Sequence, residues 1–191
     1  MTNGSQTIAI RRAQRSDVPS LVGLWRDVDD LHARLWPSFF RAGRDHTGRT
    51  AAIEAALRSS DHVLLVAEAD GRVLGLIQAQ MFDTPDAPML VRRRRLHVEE
   101  LVVAPGARRR GVGGRLVREA IRWGSERGAN QVVLVVWGGN ARAERFYRAL
   151  GFRAVHRVLS LEIDRPSTTR RVARPTPARR PAARPTAREG A

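Results

Sequence analysis

The chain has 191 residues and a formal net charge of +15, and all 34 of its basic residues are arginine. This length predicts one domain with a hydrophobic core of its own plus an appendage. The lack of cysteine excludes disulfides, thiolate nucleophiles and cysteine-ligated zinc, and the lack of an apolar leader or of an 18-residue apolar run predicts a cytoplasmic protein that does not enter a membrane.

The first 81 residues mix strand-like and helix-like patterns. The dipeptide Ser16-Asp17 is a suitable helix N-cap, and apolar residues follow it at helical spacing. The dipeptide Asp70-Gly71 between two apolar runs is typical of a tight β-hairpin. The predicted elements are a strand at 7–12, a helix from 18 to 31, a helix at 49–58, and strands at 62–68 and 72–81.

A strand, a turn and a helix follow one another from Val98 onward. Residues 98–103 are β-branched or apolar apart from two glutamates, which predicts a buried strand. Pro105 and Gly106 end that strand, because proline lacks the N–H that a ladder needs. From Val112 the apolar residues change to helical spacing.

The turn before this helix has the composition of a phosphate site. Three glycines stand where a helix exposes unpaired N–H groups and the positive end of its dipole, and three arginines precede them. The predicted pyrophosphate site comprises Arg108, Arg109, Arg110, Gly111, Val112, Gly113 and Gly114. A P-loop is excluded because the chain has no lysine, and a Rossmann fingerprint because Leu116 stands at its last glycine position.

The chain then predicts one further strand–helix unit. Residues 131–137 are almost continuously apolar, as expected for a strand buried on both faces and parallel to the strand at 98–103. Asn140 is a suitable cap for a helix that ends near Leu150-Gly151. Residues 153–163 predict the last strand or two.

Several of these motifs, in this order, resemble the GCN5-related N-acetyltransferase (GNAT) superfamily. The pattern Arg-x-x-Gly-x-Gly (Arg108, Gly111, Gly113) resembles the turn with which that family holds the coenzyme A pyrophosphate. The resemblance covers residues 96–153 in detail and 8–163 in loose pattern. It implies an α/β (α+β) fold over residues 1–164, with a mixed, mostly antiparallel, splayed sheet of six to seven strands and about four helices.

The resemblance also implies an acetyl-CoA-dependent N-acetyltransferase that acts by direct transfer to a primary amine. The main chain of Leu101, Val102 and Val103 would contact the thioester oxygen, although these residues also suit an ordinary sheet core. Tyr147, seven residues after Asn140, matches the family's tyrosine beside the coenzyme A sulfur, with a core aromatic as the alternative. Asn140 would hold the cofactor, cap its helix, or do both.

The base that deprotonates the amine is sought among two carboxylates. Glu99 and Glu100 are the only carboxylates on the strand at 98–103, and neighbouring strand residues are expected to face opposite ways. Glu99 is chosen as the base by resemblance to acetyltransferases with a Glu-Asp pair here, and a salt bridge to an arginine is the alternative reading.

The acceptor side is expected around the first helix and the loop after it. The candidate residues are Asp29, Asp30, His32, Trp36, Phe39 and Phe40. The two acids could attract a cationic amine and the rings could pack on it, but adjacent acids on a helix are more often a solvated face. The acceptor is thus a small-molecule or peptide amine of undetermined class, and a homodimer is compatible with this picture.

A rival reading is a non-catalytic acyl-CoA-binding protein or a nucleic-acid-associated protein on the same fold. Residues 165–191 hold five prolines and eight arginines against one glutamate, which predicts a disordered basic tail. Such a tail would bind nucleic acid or an acidic partner through charge, or would only add solubility.

Overall fold

The computed structural model of the protein describes residues 7–41 and 47–163. The described residues as far as Arg153 belong to one compact unit, and those from Ala154 onward belong to another. The predicted basic tail at 165–191 lies outside the described residues, so the tail and its partners stay predictions.

Five strands and four α-helices make up the described part of the first unit. In chain order they are β1 (Ala9–Arg12), α1 (Val18–Leu35), α2 (Thr47–Arg58), β2 (His62–Ala69), β3 (Arg72–Asp83), β4 (Arg94–Val103), α3 (Val112–Ser125), β5 (Gln131–Leu134) and α4 (Ala141–Ala149). Single turns of 3-10 helix precede α1 and follow β4. The predicted order of elements up to Gly151 is confirmed.

The strands form one sheet in the order β1-β2-β3-β4-β5. The first four are antiparallel, and β5 lies parallel to β4 after the crossover through α3. Asp70 and Gly71 both have positive φ angles, 50° and 71°, as a tight hairpin between β2 and β3 requires. The predicted mixed, mostly antiparallel fold is therefore confirmed, with five strands in the described residues where six to seven were expected.

Each face of the sheet carries a hydrophobic core. On one face α3 packs through Val112, Leu116 and Val117 against the sheet, and residues of α4 pack beside them. On the other face α1 packs through Leu21 and Trp25, and α2 adds Ile53. Because α1 and α3 lie on opposite faces, the strand between them, β4, is reached from both sides.

The strand β4 contains a β-bulge beside its two glutamates. Gln78 of β3 pairs with Glu100, but the next residue, Ala79, pairs with Val98, so Glu99 is the extra residue. A bulge interrupts the alternation of side chains along a strand. The expectation that Glu99 and Glu100 face opposite ways is therefore wrong.

The strand β5 is shorter than predicted. It pairs with β4 only from Gln131 to Leu134, which lies opposite Val98, and its four residues are half-buried. Val135, beyond the strand, is 68% exposed. The prediction of a strand from 131 to 137 buried on both faces is wrong, because β4 and β5 separate beyond Val98 and Leu134.

Residues 154–163 contain neither helix nor strand. Their apolar side chains are exposed, Leu159 to 91%. The predicted last strands are thus absent from this segment, since a strand requires a neighbour to bond its main chain. Among the helices of the described residues, none has the length and apolar character needed to cross a membrane.

Candidate active site

The first turn of α3 exposes a set of main-chain donors. Gly111 caps the helix with φ of 77°, and no side chain bonds the helix end. The first helical bond runs from the Arg115 N–H to the Gly111 carbonyl at 3.1 Å. The N–H groups of Val112, Gly113 and Gly114 precede that bond, so the helix itself leaves them without acceptors. They are suitable donors for a phosphate at the positive end of the helix dipole.

Gly113 also keeps this surface close to α4. A Cβ atom at Gly113 would lie 3.2 Å from the Phe146 ring and 3.6 Å from the Val103 side chain. Gly111 has open space around it, but its positive φ disfavours any other residue. Both glycines are therefore required by geometry.

Three arginines precede the helix in different environments. The Arg108 side chain is half-buried and donates from Nε to the Val103 carbonyl at 2.9 Å, which ties the turn to the end of β4. Arg109 and Arg110 are exposed, and Arg109 has a positive φ of 61°. Their charges lie beside the exposed N–H groups of α3, where a pyrophosphate would gain from them.

The main chain of β4 is open on one side beyond Val98. At Gly75 of β3, a Cβ atom would lie 2.6 Å from the Val102 carbonyl oxygen, so that carbonyl points towards β3. Main-chain groups alternate along a strand, so those of Leu101 and Val103 point the other way, towards the gap where β4 and β5 have separated. Of the three residues predicted to contact a thioester, Leu101 and Val103 thus have main-chain groups on the side of the gap, where the Val103 carbonyl accepts from Arg108. The thioester contact itself stays a prediction.

The two glutamates lie on the same face at different depths. Glu100 is paired with Gln78 across the strands, and the Glu99 carboxylate accepts a hydrogen bond from Gln78 Nε2 at 2.6 Å, so both reach the face of Gln78. Glu99 is exposed, whereas Glu100 is half-buried. The sequence assigned the base to Glu99; Glu100 lies on the same face and is the more buried of the two carboxylates.

Burial raises the pKa of Glu100 to about 7. The positive charge of Arg49 opposes this shift, while the negative charges of Asp29 and Glu99 add to it. The indole Nε1 of Trp25 is buried without a complete hydrogen bond among the described residues, and it favours the Glu100 carboxylate only weakly. A carboxyl group with a pKa near neutrality is suited to accept a proton at pH 7.

Tyr147 on α4 lies within electrostatic reach of Glu100. Its ring packs edge-on against Phe146 and Phe152, with centroids 5.0 and 5.5 Å away. Burial and, to a lesser degree, the charge of Glu100 raise the pKa of its phenol, which therefore keeps its proton. The tyrosine is thus part of the hydrophobic core beside α3, and its phenol is protonated.

Asn140 caps α4, which is one of the two roles predicted for it. Its side-chain oxygen accepts from the Ala143 N–H at 3.1 Å. The side-chain NH₂ group is a separate donor on the same amide. The cap therefore does not compete with a cofactor contact, and that contact stays a prediction.

The residues predicted for the acceptor side form two groups, the acids of α1 and a set of aromatic rings. Asp29 forms an ion pair with Arg49 of α2 at 2.5 Å, and the Arg49 guanidinium lies over the Trp25 ring, 5.5 Å from its centroid. Asp30 is exposed. The rings come together with one that the sequence did not single out, Trp137. This aromatic cluster consists of His32, Trp36, Phe39, Phe40 and Trp137.

Comparison with known proteins settles the family. A sequence model described as "Acetyltransferase (GNAT) family" matches residues 25–152. The chain belongs to the GNAT acetyltransferase family. The match spans α1 to the end of α4, and so includes the helix-capping glycines, both glutamates and Tyr147.

Individual relatives agree with this assignment. An uncharacterized N-acetyltransferase, YhfO, of Bacillus subtilis is 28% identical over 144 residues, 75% of this chain and 88% of that protein. An aminoglycoside N(6')-acetyltransferase type 1 of Salmonella typhimurium is 27% identical over 139 residues, 71% of this chain and 87% of that protein. The structure of the aminoglycoside N-acetyltransferase AAC(6')-Iy in complex with CoA has a TM-score of 0.67 at 22% identity, covering 85% of this chain and 99% of that one.

As a GNAT protein, this chain is an N-acetyltransferase with acetyl-CoA as its acetyl donor. The residues present fit that donor. The α3 N–H groups are uncapped by any side chain, and Gly113 lets the first turn of α3 lie close to Phe146 and Val103. The open side of β4 adds main-chain groups at Leu101 and Val103 for the chain that joins the pyrophosphate to the thioester.

Proposed function

We propose that this enzyme transfers the acetyl group directly to a primary amine on a small molecule, with Glu100 as the base and Tyr147 as the proton donor. Acetyl-CoA supplies the activated acetyl group as a thioester. The placement of Glu100 carries the proposal. It is the half-buried carboxylate on the open strand, it has a pKa of about 7, and it interacts with Tyr147.

The base is needed because an alkylamine is mostly protonated at neutral pH and a protonated amine cannot attack. Glu100 would take the proton of the amine nitrogen, either directly or through one water. Its surroundings favour that step, since burial makes the neutral carboxyl more stable than it would be in water.

The second proton movement depends on the first. Tyr147 would give its proton to the departing sulfur, but a buried phenolate beside an ionised Glu100 is unfavourable. Once Glu100 has gained the proton of the amine, that repulsion disappears. We therefore propose that the two transfers are coupled, with the carboxyl neutral when Tyr147 acts.

Main-chain groups would make most of the remaining contacts, and three side chains would add to them. The exposed N–H groups at Gly113 and Gly114 would hold the pyrophosphate, with Arg109 and Arg110 as additional charges. A main-chain N–H at Leu101 or Val103 would hold the thioester oxygen, where rigid donors are most effective. Asn140 would contact the chain between these two points.

A small-molecule acceptor is supported by relatives that are named for the compound they acetylate. One is an aminoglycoside N(6')-acetyltransferase, and a segment of 59 residues is 44% identical to a streptothricin acetyltransferase of Streptomyces lavendulae. Both names describe acetylation of small amine-bearing compounds. The nucleic-acid partner proposed for the basic tail has no comparable support within the described residues.

The deciding experiment measures thiol release from acetyl-CoA in the presence of a panel of primary amines. We expect amine-dependent thiol release together with a product heavier by one acetyl group in mass spectrometry. Tight CoA binding without turnover of any amine or peptide would instead favour a non-catalytic acyl-CoA-binding protein.

A further inference from the structure

The aromatic cluster lies at the far end of the same helix face that reaches Glu100. Trp25, Asp29, His32 and Trp36 follow one another at intervals of four, three and four residues, so they lie on one side of α1. Trp25 is the indole beside Glu100. His32 and Trp36 begin the aromatic cluster.

The cluster bridges two walls of the gap. Trp137 comes three residues after Leu134, where β5 separates from β4, and it contacts three rings from the end of α1 and the turn after it. The centroid of the Trp137 ring lies 4.7 Å from that of Phe40, 5.3 Å from that of Phe39 and 5.7 Å from that of Trp36. Trp36 Nε1 also donates to the Gly138 carbonyl at 2.7 Å.

The cluster is only partly covered. Phe39 is 54% exposed, and Trp36, Phe40 and Trp137 are half-buried. Ring faces that remain accessible gain from contact with another flat ring, beyond the area buried. The seven residues from Trp25 to His32 correspond to about 10 Å along the helix. With its amine at Glu100, a ring on an alkyl linker would extend along this face towards the cluster.

The charges along this face do not favour a polycation. Within the described residues, Asp29 is the one carboxylate on the face from Trp25 to Trp36, and Arg49 neutralises it. Glu100 is close to half protonated at pH 7. The chain as a whole carries a formal charge of +15, which opposes the approach of a multiply charged amine.

Resting on the proposed function, we infer that the acceptor is a primary monoamine on a short alkyl linker to a flat aromatic ring, and that the aromatic cluster binds this ring. Glu100 then faces the amine and the cluster fixes the orientation of the substrate. The acceptor differs in this respect from the aminoglycosides named for the relatives.

The test compares matched amines with the purified enzyme and acetyl-CoA. The probes are 2-phenylethylamine, its saturated analogue 2-cyclohexylethylamine, and the polycation kanamycin, each measured as kcat/KM for thiol release. We expect the aromatic amine to exceed its saturated analogue about fivefold, the range of an aromatic pair. It should exceed kanamycin by more. Equal or higher kcat/KM for the saturated amine or kanamycin would overturn the inference.

A variant pair separates ring binding from packing. Phe39→Leu should raise KM for 2-phenylethylamine and bring its kcat/KM close to that of the saturated analogue, with kcat little changed. Phe82→Leu, at the edge of β3 beside His97, is the matched control and should leave the ratio as it is. A full aromatic preference in Phe39→Leu would show that the cluster only holds α1 to the segment after β5.

The two proposals fail in different ways. If amines are acetylated without preference for a ring, the proposed function stands and the inference on the acceptor fails. If no amine in the panel releases thiol while CoA binds, the proposed function fails and this inference fails with it. Calorimetric CoA affinity and circular dichroism show whether each variant is folded.

Discussion

The turn from Arg108 to Gly114 and the α1 face from Trp25 to Trp36 serve the two substrates of the proposed reaction, and they are built in different ways. The turn offers main-chain N–H groups at one helix end, and its glycines keep side chains away. The α1 face offers side chains, and its effect depends on what they touch on β4, α2 and the segment after β5. Local backbone geometry therefore specifies the proposed donor site, whereas tertiary contacts specify the proposed acceptor site.

The largest effect on activity is expected from Tyr147, whose substitution tests whether catalysis and cofactor binding depend on separate regions. Tyr147→Phe keeps the ring among Phe146 and Phe152 but removes the proton, so kcat should fall about 100-fold or more. Acetyl-CoA affinity by calorimetry should stay within about twofold, since main-chain groups hold the pyrophosphate. If Tyr147→Phe lost acetyl-CoA affinity as well as kcat, cofactor binding and catalysis would not depend on separate regions.

Burial of Glu100 should make the stability of the folded protein depend on pH, an effect not expected from the turn at Arg108 to Gly114. The Glu100 pKa is raised to about 7, so between pH 4.5 and 7 the folded state holds a proton that the unfolded state has released. The wild type should therefore lose stability as pH rises through this window. Glu100→Gln removes this loss. From pH 5 to pH 8, the free energy of unfolding of the variant should therefore rise relative to that of the wild type by on the order of 2 kcal/mol.

Urea unfolding of both proteins at pH 5 and pH 8 measures this difference. Glu99→Gln is the matched control, because Glu99 is exposed and should give no such trend. A gain of the same size in Glu99→Gln would show that burial of Glu100 is not the cause.

The turn is best disrupted through Gly113. Gly113→Val places a side chain against Phe146 and Val103, which should displace the first turn of α3 and its N–H groups. CoA affinity should then fall about tenfold or more, the worth of one charge-assisted hydrogen bond. Gly106→Ala, in the same loop but with open space around it, should bind CoA normally. Calorimetry compares the two, and normal affinity in a folded Gly113→Val would refute the site.

The smallest effect is expected from an arginine of that turn. Arg109 is exposed, so its charge acts through solvent and is screened by salt. Arg109→Ala should weaken CoA binding about threefold at low ionic strength, and less at 0.5 M salt. A loss as large as that of Gly113→Val would mean that side chains, rather than main chain, dominate the donor site.

The same contrast explains what could be predicted from the sequence. The elements that carry the proposed donor site could be predicted because their signals are local: Gly111 and Gly113 stand at the start of a helix pattern, and Asn140 caps the helix that carries Tyr147. The hairpin at Asp70-Gly71 could be predicted for the same reason. Such features need only the preferences of a few neighbouring residues.

The missed features depend on contacts between distant parts of the chain. Simple alternation along β4 cannot reveal the bulge at Glu99, because the bulge is defined by the register with β3. Trp137 looked like part of a long buried strand, yet β5 ends at Leu134 and the ring joins others from α1. The apolar pattern at 153–163 predicted strands that are not formed there.

The pH dependence of kcat/KM for the wild type, Glu99→Gln and Glu100→Gln tests the central claim most directly. With a saturating concentration of acetyl-CoA and one accepted amine, the wild-type value should rise with pH through a limb near pH 7, as Glu100 loses its proton. Glu99→Gln should keep that limb. Glu100→Gln should lose it, with activity about tenfold or more below wild type at pH 7 and partly restored at high pH, where the amine loses its proton unaided. A limb that survives in Glu100→Gln and disappears in Glu99→Gln would contradict the account and return the base to Glu99.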